Sequence, residues 1–409
     1  MNYADFGLNE NPFPPPPAML NPFAADPKVN GQIFATKARE RELAAFQSKF
    51  VRPESFQSRY RLGFLWAKGD PEERGQGKTA FLVYLRHRIN DGWGSKMLPS
   101  EKACALYVDF PTVIKDYPLE HISQCALASC IRDEAFSQVK ASLENKAREL
   151  GIPDVKNWVL ESLIAKRVER QFARAIADGT VEDYLKSMRK DGSLDIPRPP
   201  RDTLLLTKTN NLFFTHTVRA LQAAGFAGGF LFIDDIERIT DLPGRKHLET
   251  FAKNLGIILF RSDSEQAISR FFTVVLTTHA TAASKLSSAW VAAGLAGVYP
   301  INPEADNSIE LPRLSTEGAL EIFDAYLREA RTGESVADRP YDPFETDAAR
   351  SLVEWFGNHP RLFLSNAHSM LEQARASNVR VLDKGFVDGY LKSVRVPKVP
   401  TKLPERFGL

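Results

Sequence analysis

The chain contains 409 residues, with 53 Lys and Arg against 51 Asp and Glu and a net charge of +2 at pH 7. This length exceeds what a single hydrophobic core usually holds, so it predicts two domains and an N-terminal arm. The near balance of charge argues against a surface that binds polyanions over its whole extent, although a local basic patch is compatible with it.

Cysteine use and hydropathy indicate the compartment. The three cysteines, Cys104, Cys125 and Cys130, have neither the spacing of a metal site nor the density of a disulfide scaffold, which fits a reducing cytoplasm. The first residues lack the basic-then-apolar pattern of a signal peptide, and no apolar run approaches the ~18 residues that a membrane helix needs. We therefore expect a soluble cytoplasmic protein with no membrane partner.

Residues 1–55 precede the expected core. Residues 1–32 are rich in Pro and Asn, and the run Pro14–Pro17 predicts an extended arm because proline cannot continue a helix. Thr36 is a suitable N-cap for a helix that runs through residues 39–43 towards Phe50. The core itself is expected over residues 56–312.

The most informative motif follows the apolar run Leu62–Ala67, which predicts a buried strand. The next segment, Arg74-Gly75-Gln76-Gly77-Lys78-Thr79, is typical of a phosphate-binding loop. Glycines admit backbone N–H groups around phosphate oxygens, a lysine neutralises charge, and a threonine hydroxyl can hold Mg²⁺. The positive end of the following helix would face the anion. The expected nucleotide-binding residues are Gly75, Gln76, Gly77, Lys78, Thr79 and Ala80.

The part of the chain after this loop predicts a parallel sheet with an insertion. A second strand is predicted at Ala103–Phe110, and strand, helix and strand in this order form a right-handed crossover. Residues 114–210 break the alternation and predict a helical insertion, with an amphipathic helix over Trp158–Ile176. Its cations indicate either a contact with nucleic acid or a partner, or a solvated helix face. The four cations at helical spacing are Lys166, Arg167, Arg170 and Arg174.

After a helix predicted at Phe213–Ala224, two further strands end in polar residues. The apolar run Phe230–Ile233 leads into two carboxylates, which is the pattern of a buried strand that reaches the edge of an active site. The run Phe271–Leu276 leads into two threonines and a histidine. Ser308–Leu311 is a candidate fifth strand.

These polar residues could supply what nucleotide hydrolysis needs beyond the phosphate cradle. Asp234 is placed to hold Mg²⁺, through water or together with the loop threonine. Asp235 could orient the attacking water, with Glu237 as a longer alternative. Thr278 or its neighbour Thr277 could donate a hydrogen bond to the γ-phosphate or to the water.

Residues 313–394 return to helical periodicity and predict an all-α lid domain. Within this domain, Gly357-Asn358-His359-Pro360-Arg361 opens an amphipathic helix, with Pro360 near its first turn. Arg361 could reach the phosphates when the domains close. Residues 395–409 contain four cations and three prolines and predict a flexible basic tail.

The order of these pieces resembles the AAA+ superfamily, and more narrowly the clade of initiator ATPases, transposition and secretion ATPases, and STAND-type signalling NTPases. Phe6–Phe13 is similar to the arm of transposition and secretion ATPases, and Arg39–Leu43 to the helix that helps to enclose adenine in initiator ATPases. Leu311–Ser315 resembles the junction into the lid, and Gly357–Arg361 the second sensor motif of the lid. The resemblance implies an α/β fold: a parallel P-loop sheet flanked by helices, with the helical insertion and a C-terminal all-α lid.

The same resemblance implies ATP and Mg²⁺ as cofactors. The roles that it implies are nucleotide and magnesium binding by Lys78 and Thr79, magnesium support by Asp234, the base position at Asp235, the first sensor at Thr278 or Thr277, and the second sensor at Arg361.

Three features depart from the pattern of the superfamily. Glu72 stands where the usual spacing has a first glycine, so the phosphate loop is lengthened. The second carboxylate is Asp235 where many hydrolytic relatives have Glu. The segment from Ala280 to Pro300, where a finger arginine is expected, contains no arginine, and Lys285 is its only cation. Elsewhere in the chain, Arg238, Arg270 and Arg313 are candidates for that role. A slow ATPase or a nucleotide-gated switch fits these departures at least as well as a fast motor.

Two functions follow as hypotheses. The first is an ATP-binding, ATP-hydrolysing protein that forms a homo- or hetero-oligomer on DNA or with partner proteins, with a bacterial mobile-element or anti-phage defence system as its setting. DNA would contact the insertion at 114–210 or the tail. The alternative is a STAND-like signalling or scaffold module that holds nucleotide as a switch or structural staple with little turnover.

Overall fold

The computed structural model describes residues 1–17, 20, 24–51, 61–67, 76–93, 102–108, 122–187, 212–241, 245–260, 271–332 and 339–393. The first part of the phosphate loop, including Arg74 and Gly75, lies outside these ranges. So do both ends of the expected insertion and the expected tail at 395–409.

A parallel sheet organises the middle of the chain. Its strands are β1 (Leu62–Ala67), β2 (Lys102–Val108), β3 (Phe226–Ile233), β4 (Phe272–Thr278) and β5 (Ser308–Leu311). Within the described residues they form one sheet in the order β2-β3-β4-β1-β5, and the pairs β2–β3, β3–β4 and β4–β1 are parallel. Ile233 pairs with both Val108 and Leu276, so the carboxyl ends of β2, β3 and β4 lie level at one edge.

Helices flank this sheet and make up the C-terminal region. In chain order they are α1 (Pro27–Asn30), α2 (Glu40–Phe50), α3 (Lys78–Arg88), α4 (Ile122–Arg132), α5 (Ala135–Glu149), α6 (Val155–Ala165), α7 (Arg170–Asp178), α8 (Val181–Ser187), α9 (Val218–Ala223), α10 (Glu237–Asp241), α11 (Lys246–Phe260), α12 (Ala280–Ala292), α13 (Thr316–Ala330), α14 (Thr346–Trp355), α15 (Pro360–Ala376) and α16 (Lys384–Ser393). Shorter 3₁₀ or π-helical segments are Tyr3–Phe6, Lys37–Arg39, Ile89–Trp93 and Leu212–Thr217.

This architecture confirms the expected fold class, a mixed α/β protein with a parallel sheet flanked by helices and a C-terminal all-α region. Strands buried on both faces read as continuous apolar runs, which is why they were visible in the sequence. β4 extends to Thr278, so the two threonines lie in the strand rather than after it. No helix among the described residues has the length and apolar character needed to cross a bilayer.

The chain divides into two compact units. One unit contains residues 1–44, 67–84 and 310–409, and is called the lid unit below. The other contains residues 45–66 and 85–309, and is called the sheet unit. The phosphate-loop residues Gln76–Ala80 belong to the lid unit, and the carboxylates Asp234 and Asp235 belong to the sheet unit.

The insertion packs on the sheet through one continuous hydrophobic core, which includes residues of β1 to β4 and of α4 to α8. The single amphipathic helix expected over Trp158–Ile176 is two helices. α6 ends at Ala165, and Arg167 in the following turn has a left-handed φ of 59°. α7 then starts at Arg170, because the carboxylate of Glu169 accepts hydrogen bonds from two N–H groups of its first turn.

The break changes the expected basic face. Lys166 and Arg167 lie in the turn between the helices, whereas Arg170 and Arg174 lie on α7, four residues apart. All four side chains are exposed. The prediction that they share one face of a continuous helix is therefore wrong.

The N-terminal residues form part of the lid unit. Phe6, Leu8 and Phe13 are buried in the same core as α13 to α16. The N–H of Asn9 donates a hydrogen bond of 2.7 Å to the carbonyl of Ala330, so this N-terminal segment pairs with the end of α13. Thr36 precedes the Lys37–Arg39 turn, but its side chain makes no capping hydrogen bond.

Candidate functional site

The described end of the phosphate loop has the backbone that anion binding requires. Gly77 has φ 96°, a left-handed conformation that favours glycine, and α3 begins at the next residue. Lys78, Thr79 and Ala80 are half-buried in the first turn of α3. The first N–H groups of a helix have no partner within the helix, and its dipole favours negative charge there. This turn can therefore bind phosphate oxygens.

Arg39 fixes the loop from the side. Its guanidinium is buried and donates hydrogen bonds of 2.8 Å to the main-chain carbonyls of Gln76 and Pro312. Burial lowers the pKa of Arg39, against the opposing charge of Glu42. One side chain thus joins the residue before Gly77 to the segment that leads into α13. The sequence placed Arg39 in an adenine-side motif but gave no sign of this contact.

A sharp turn connects α14 to α15 in the lid unit. Gly357 and Asn358 both have left-handed backbones, with φ of 59° and 61°. The amide of Asn358 donates to the carbonyl of Leu314 at 3.1 Å, which ties the turn to the start of the lid. Pro360 occupies the first turn of α15, as predicted, because its fixed φ suits that position.

This turn and the phosphate loop line one small cavity in the lid unit. The cavity has an accessible volume of only about 10 Å³, and its walls are Gln76, Arg313, Leu314 and residues 357–360. Arg361 is exposed on the first turn of α15 and is not among the lining residues. The structure therefore brings Gln76 together with residues 357–360 of the predicted second sensor motif, but not with Arg361.

The carboxylate pair lies at the carboxyl edge of the sheet. Asp234 is 2% exposed, and its Oδ1 accepts hydrogen bonds from the hydroxyl of Thr277 at 2.7 Å and from the N–H of Asp235 at 2.9 Å. Its Oδ2 accepts a hydrogen bond of 2.7 Å from the hydroxyl of Tyr107. Donors from β2, from β4 and from the next residue, Asp235, therefore stabilise the charge of Asp234.

Asp235 adopts a left-handed backbone with φ 53°, and its N–H also donates to the hydroxyl of Thr277 at 2.8 Å. Thr277 therefore contacts both carboxylate residues. Side chains alternate along a strand, so Thr278 faces the other side of β4, where it is buried. Glu237 begins α10, but its side chain lies outside the described part of the structure.

The acceptor capacity of Asp234 fits a hydrated magnesium ion. An ionised carboxylate has about four acceptor positions, and three are used here. The fourth, on Oδ2, suits a water ligand of Mg²⁺, a cation that usually keeps several of its waters. The described residues contain no cluster of three or more His, Cys, Asp and Glu side chains that could hold a metal. Burial raises the pKa of the Cys104 thiol to about 12, which suits a structural cysteine rather than a nucleophile.

Comparison with known proteins gave matches in structure only. No protein-family model matches the chain, and no curated protein does. Two similar solved structures are of the ORC2 protein of Aeropyrum pernix. Its ADPNP-ADP complexes have a TM-score of 0.45 at 10% identity, covering 91% of this chain and 69% of that one. Its ADP form has a TM-score of 0.45 at 12% identity, covering 96% and 72%. Likeness at this level carries no information about the roles of residues.

Proposed function

We propose that this protein is an AAA+-type ATPase that binds ATP with Mg²⁺ and hydrolyses it slowly. The observation that carries the proposal is the start of α3, where the left-handed Gly77 stands directly before helical Lys78 and Thr79. The order of elements supports it, because the loop follows β1 and Asp234 follows β3. Ligands of open parallel sheets bind beyond the carboxyl ends of the strands.

In this proposal the loop residues bind the phosphates. Backbone N–H groups of the loop and of the first turn of α3 donate to phosphate oxygens, and the Lys78 ammonium neutralises their charge. The residues of this cradle are Gly75, Gln76, Gly77, Lys78, Thr79 and Ala80. Arg39 holds the cradle in shape through the carbonyl of Gln76.

Magnesium would be held by the hydroxyl of Thr79 and, through water, by the carboxylate of Asp234. When bound, it would neutralise negative charge on the phosphate oxygens. Asp235 would accept the proton of the attacking water, with Glu237 as the longer alternative. Thr278 and Arg361 would act as the two sensors. The contact of Thr277 with Asp234 favours Thr277 for the support of the carboxylate.

Slow turnover is proposed for two reasons. Asp235 is one methylene shorter than the glutamate of many hydrolytic relatives, and its main chain is fixed by Asp234 and Thr277. The segment 280–300 also lacks an arginine that could serve a neighbouring subunit. An arginine finger contributes roughly 10³-fold or more to the rate of such reactions.

Calorimetric titration with ATP and Mg²⁺ and a steady-state phosphate assay test the proposal. Lys78→Ala should abolish binding, whereas Asp235→Asn should retain binding and lower turnover by about 10²-fold or more, the usual contribution of a general base. Lys146→Ala, a change of an exposed lysine on α5, is the matched control for Lys78→Ala. Binding that survives Lys78→Ala would contradict the proposal. Turnover unchanged by Asp235→Asn would overturn the role of Asp235.

The second candidate is a nucleotide switch or structural staple with little turnover. It is favoured by the same two features, the shorter side chain of Asp235 and the lack of an arginine in residues 280–300. It predicts tight nucleotide binding, a bound nucleotide that stays unhydrolysed over hours, and a change in hydrodynamic size between the ATP and ADP states. Rapid single-turnover hydrolysis by the purified chain would exclude it.

Assembly on DNA or with partner proteins completes the proposal, in the setting of a mobile-element or anti-phage defence system. The exposed cations at 166–174 support a DNA contact through the insertion. Neutralising Lys166, Arg167, Arg170 and Arg174 together should reduce the salt dependence of DNA binding. A slope unaffected by these changes would exclude the insertion as the contact.

A further inference from the structure

The hydroxyl of Tyr107 makes a contact that the proposed function does not use. Tyr107 is 1% exposed on β2, and its hydroxyl lies 2.7 Å from Oδ2 of Asp234. An ionised carboxylate can only accept hydrogen bonds, so the phenol is the donor. Burying a hydroxyl is costly unless it is paired. A phenylalanine would fill nearly the same space, so the hydroxyl serves the contact rather than the packing.

Three donors from different parts of the sheet edge hold the Asp234 carboxylate. Thr277 of β4 and the N–H of Asp235 both donate to Oδ1, whereas Tyr107 of β2 alone donates to Oδ2. Oδ2 is therefore the oxygen with acceptor capacity left, and Tyr107 fixes its direction. Loss of the phenol hydroxyl would remove the donor that fixes the direction of Oδ2.

The insertion holds Tyr107 in turn. The hydroxyl of Ser129 on α4 donates to the carbonyl of Tyr107 at 2.9 Å. The N–H of Tyr107 approaches Oδ2 of Asp133 at 3.4 Å, and Arg86 at the end of α3 binds Asp133 at 2.6 Å. The main-chain carbonyl and N–H of Tyr107 thus both contact buried polar groups, in addition to the pairing of β2 in the sheet.

We propose that Tyr107 is a positioning residue that aims Oδ2 of Asp234 at the water shell of nucleotide-bound magnesium. The inference rests on the proposed function, because it assigns a partner to the same carboxylate. It adds a residue outside every motif of the sequence, and it gives the insertion a structural connection to the site.

The test compares nucleotide affinity with and without magnesium. A fluorescent ADP analogue is titrated into wild-type protein and Tyr107→Phe, first in EDTA and then over a series of Mg²⁺ concentrations. Tyr107→Phe should leave the affinity for the ADP analogue in EDTA unchanged. It should raise about tenfold the Mg²⁺ concentration at which half of the magnesium-dependent gain in affinity is reached, the size expected for one hydrogen bond to a charged group. Tyr299→Phe removes a hydroxyl from another buried tyrosine of the sheet unit and should change neither value.

A second pair of variants covers the case that Tyr107→Phe fails to fold. Thr277→Val should shift the magnesium midpoint in the same direction, and Thr277→Ser, which keeps the hydroxyl, should restore it. A midpoint unchanged in Tyr107→Phe overturns the inference. So does an equal loss of affinity in EDTA and in Mg²⁺, which would show a structural role only. Wild-type protein that binds no nucleotide under either condition overturns the proposed function and the inference with it.

Discussion

The guanidinium of Arg39 and the main-chain carbonyl of Gln76 are joined by a hydrogen bond of 2.8 Å, and both groups are buried. Arg39 also holds the carbonyl of Pro312, so a single side chain connects the phosphate loop to the segment that enters the lid helices. A guanidinium can serve two carbonyls at once because its N–H groups form a rigid fork, which lysine lacks.

Arg39→Lys should therefore weaken nucleotide binding and lower the free energy of unfolding. One of the two carbonyls loses its donor, at a cost of about 1–3 kcal/mol for a buried group. Calorimetric titration and denaturant unfolding measure the two effects. Arg41→Lys, an exposed position two residues further on, is the control and should be neutral. Equal affinities in the two variants would contradict the role of Arg39.

Gly77→Ala should weaken phosphate binding through the backbone rather than through a clash. A Cβ at Gly77 would meet no atom within 4 Å, but the φ of 96° is strained for any residue other than glycine, at a cost of about 1–2 kcal/mol. Nucleotide affinity and thermal unfolding report the change.

Gly389→Ala provides the opposite case. Gly389 lies exposed within α16, and a Cβ there also meets no atom within 4 Å. Alanine is the better helix former, so this variant should gain about 0.5–1 kcal/mol in stability. Destabilisation by both changes to the same extent would show that φ at Gly77 is not the cause.

The extent to which the sequence predicted this fold depends on the kind of signal. Buried parallel strands such as Phe272–Thr278 appear as apolar runs, and glycine beside Lys78 indicates a left-handed turn before a helix. The break between α6 and α7 has no such signal, because the turn at Lys166–Glu169 contains neither Gly nor Pro and uses a left-handed Arg167. The amino-acid composition of this segment therefore does not predict such a turn.

Long-range contacts were beyond prediction for a different reason. Tyr107 and Asp234 are separated by 127 residues, and their contact depends on the register between β2 and β3. A shift of one residue would turn Tyr107 to the other face of the sheet. Only the structure, therefore, identifies Thr277 and Tyr107 as the neighbours of the carboxylate.

Asp133→Ala should destabilise the sheet unit by about 3–5 kcal/mol, because the buried charge of Arg86 would lose the carboxylate of Asp133. Calorimetric unfolding measures this loss. The double variant Arg86→Met with Asp133→Leu should recover much of it, since replacing both members of a buried pair by apolar residues is often neutral. The exposed pair Arg148–Glu144 is the control, and Arg148→Ala should cost less than about 1 kcal/mol. A small loss in Asp133→Ala would contradict the prediction.

His216 should make the insertion sensitive to mild acid. Its Nδ1 accepts a hydrogen bond of 3.0 Å from the N–H of Glu169. Burial and the charge of Arg219 lower the pKa of His216 below its ordinary value of 6.5, against opposing contributions from Glu169 and the main chain of Arg167. A basic group whose pKa is lower in the folded than in the unfolded state stabilises the fold in its neutral form. Its contribution is present above pH 6.5 and is lost as the pH falls through the folded pKa.

Thermal unfolding between pH 7 and pH 5 tests this expectation. His216→Asn keeps an acceptor near the N–H of Glu169 but does not titrate, so its unfolding temperature should fall less steeply than that of the wild type. His247→Asn on α11 replaces a histidine elsewhere in the sheet unit and serves as the control. Parallel curves for wild type and His216→Asn would show that His216 is not the sensitive group.

The position of Phe13 has a consequence for how the chain is made. Phe13 is fully buried among Phe323, Tyr326 and Phe344, and its carbonyl contacts the ring of His368 at 2.8 Å. Phe13 leaves the ribosome before these partners, which are synthesised more than three hundred residues later. The sheet unit, residues 45–66 and 85–309, can therefore fold during synthesis, whereas Phe6, Leu8 and Phe13 stay exposed until the helices of the lid unit have emerged.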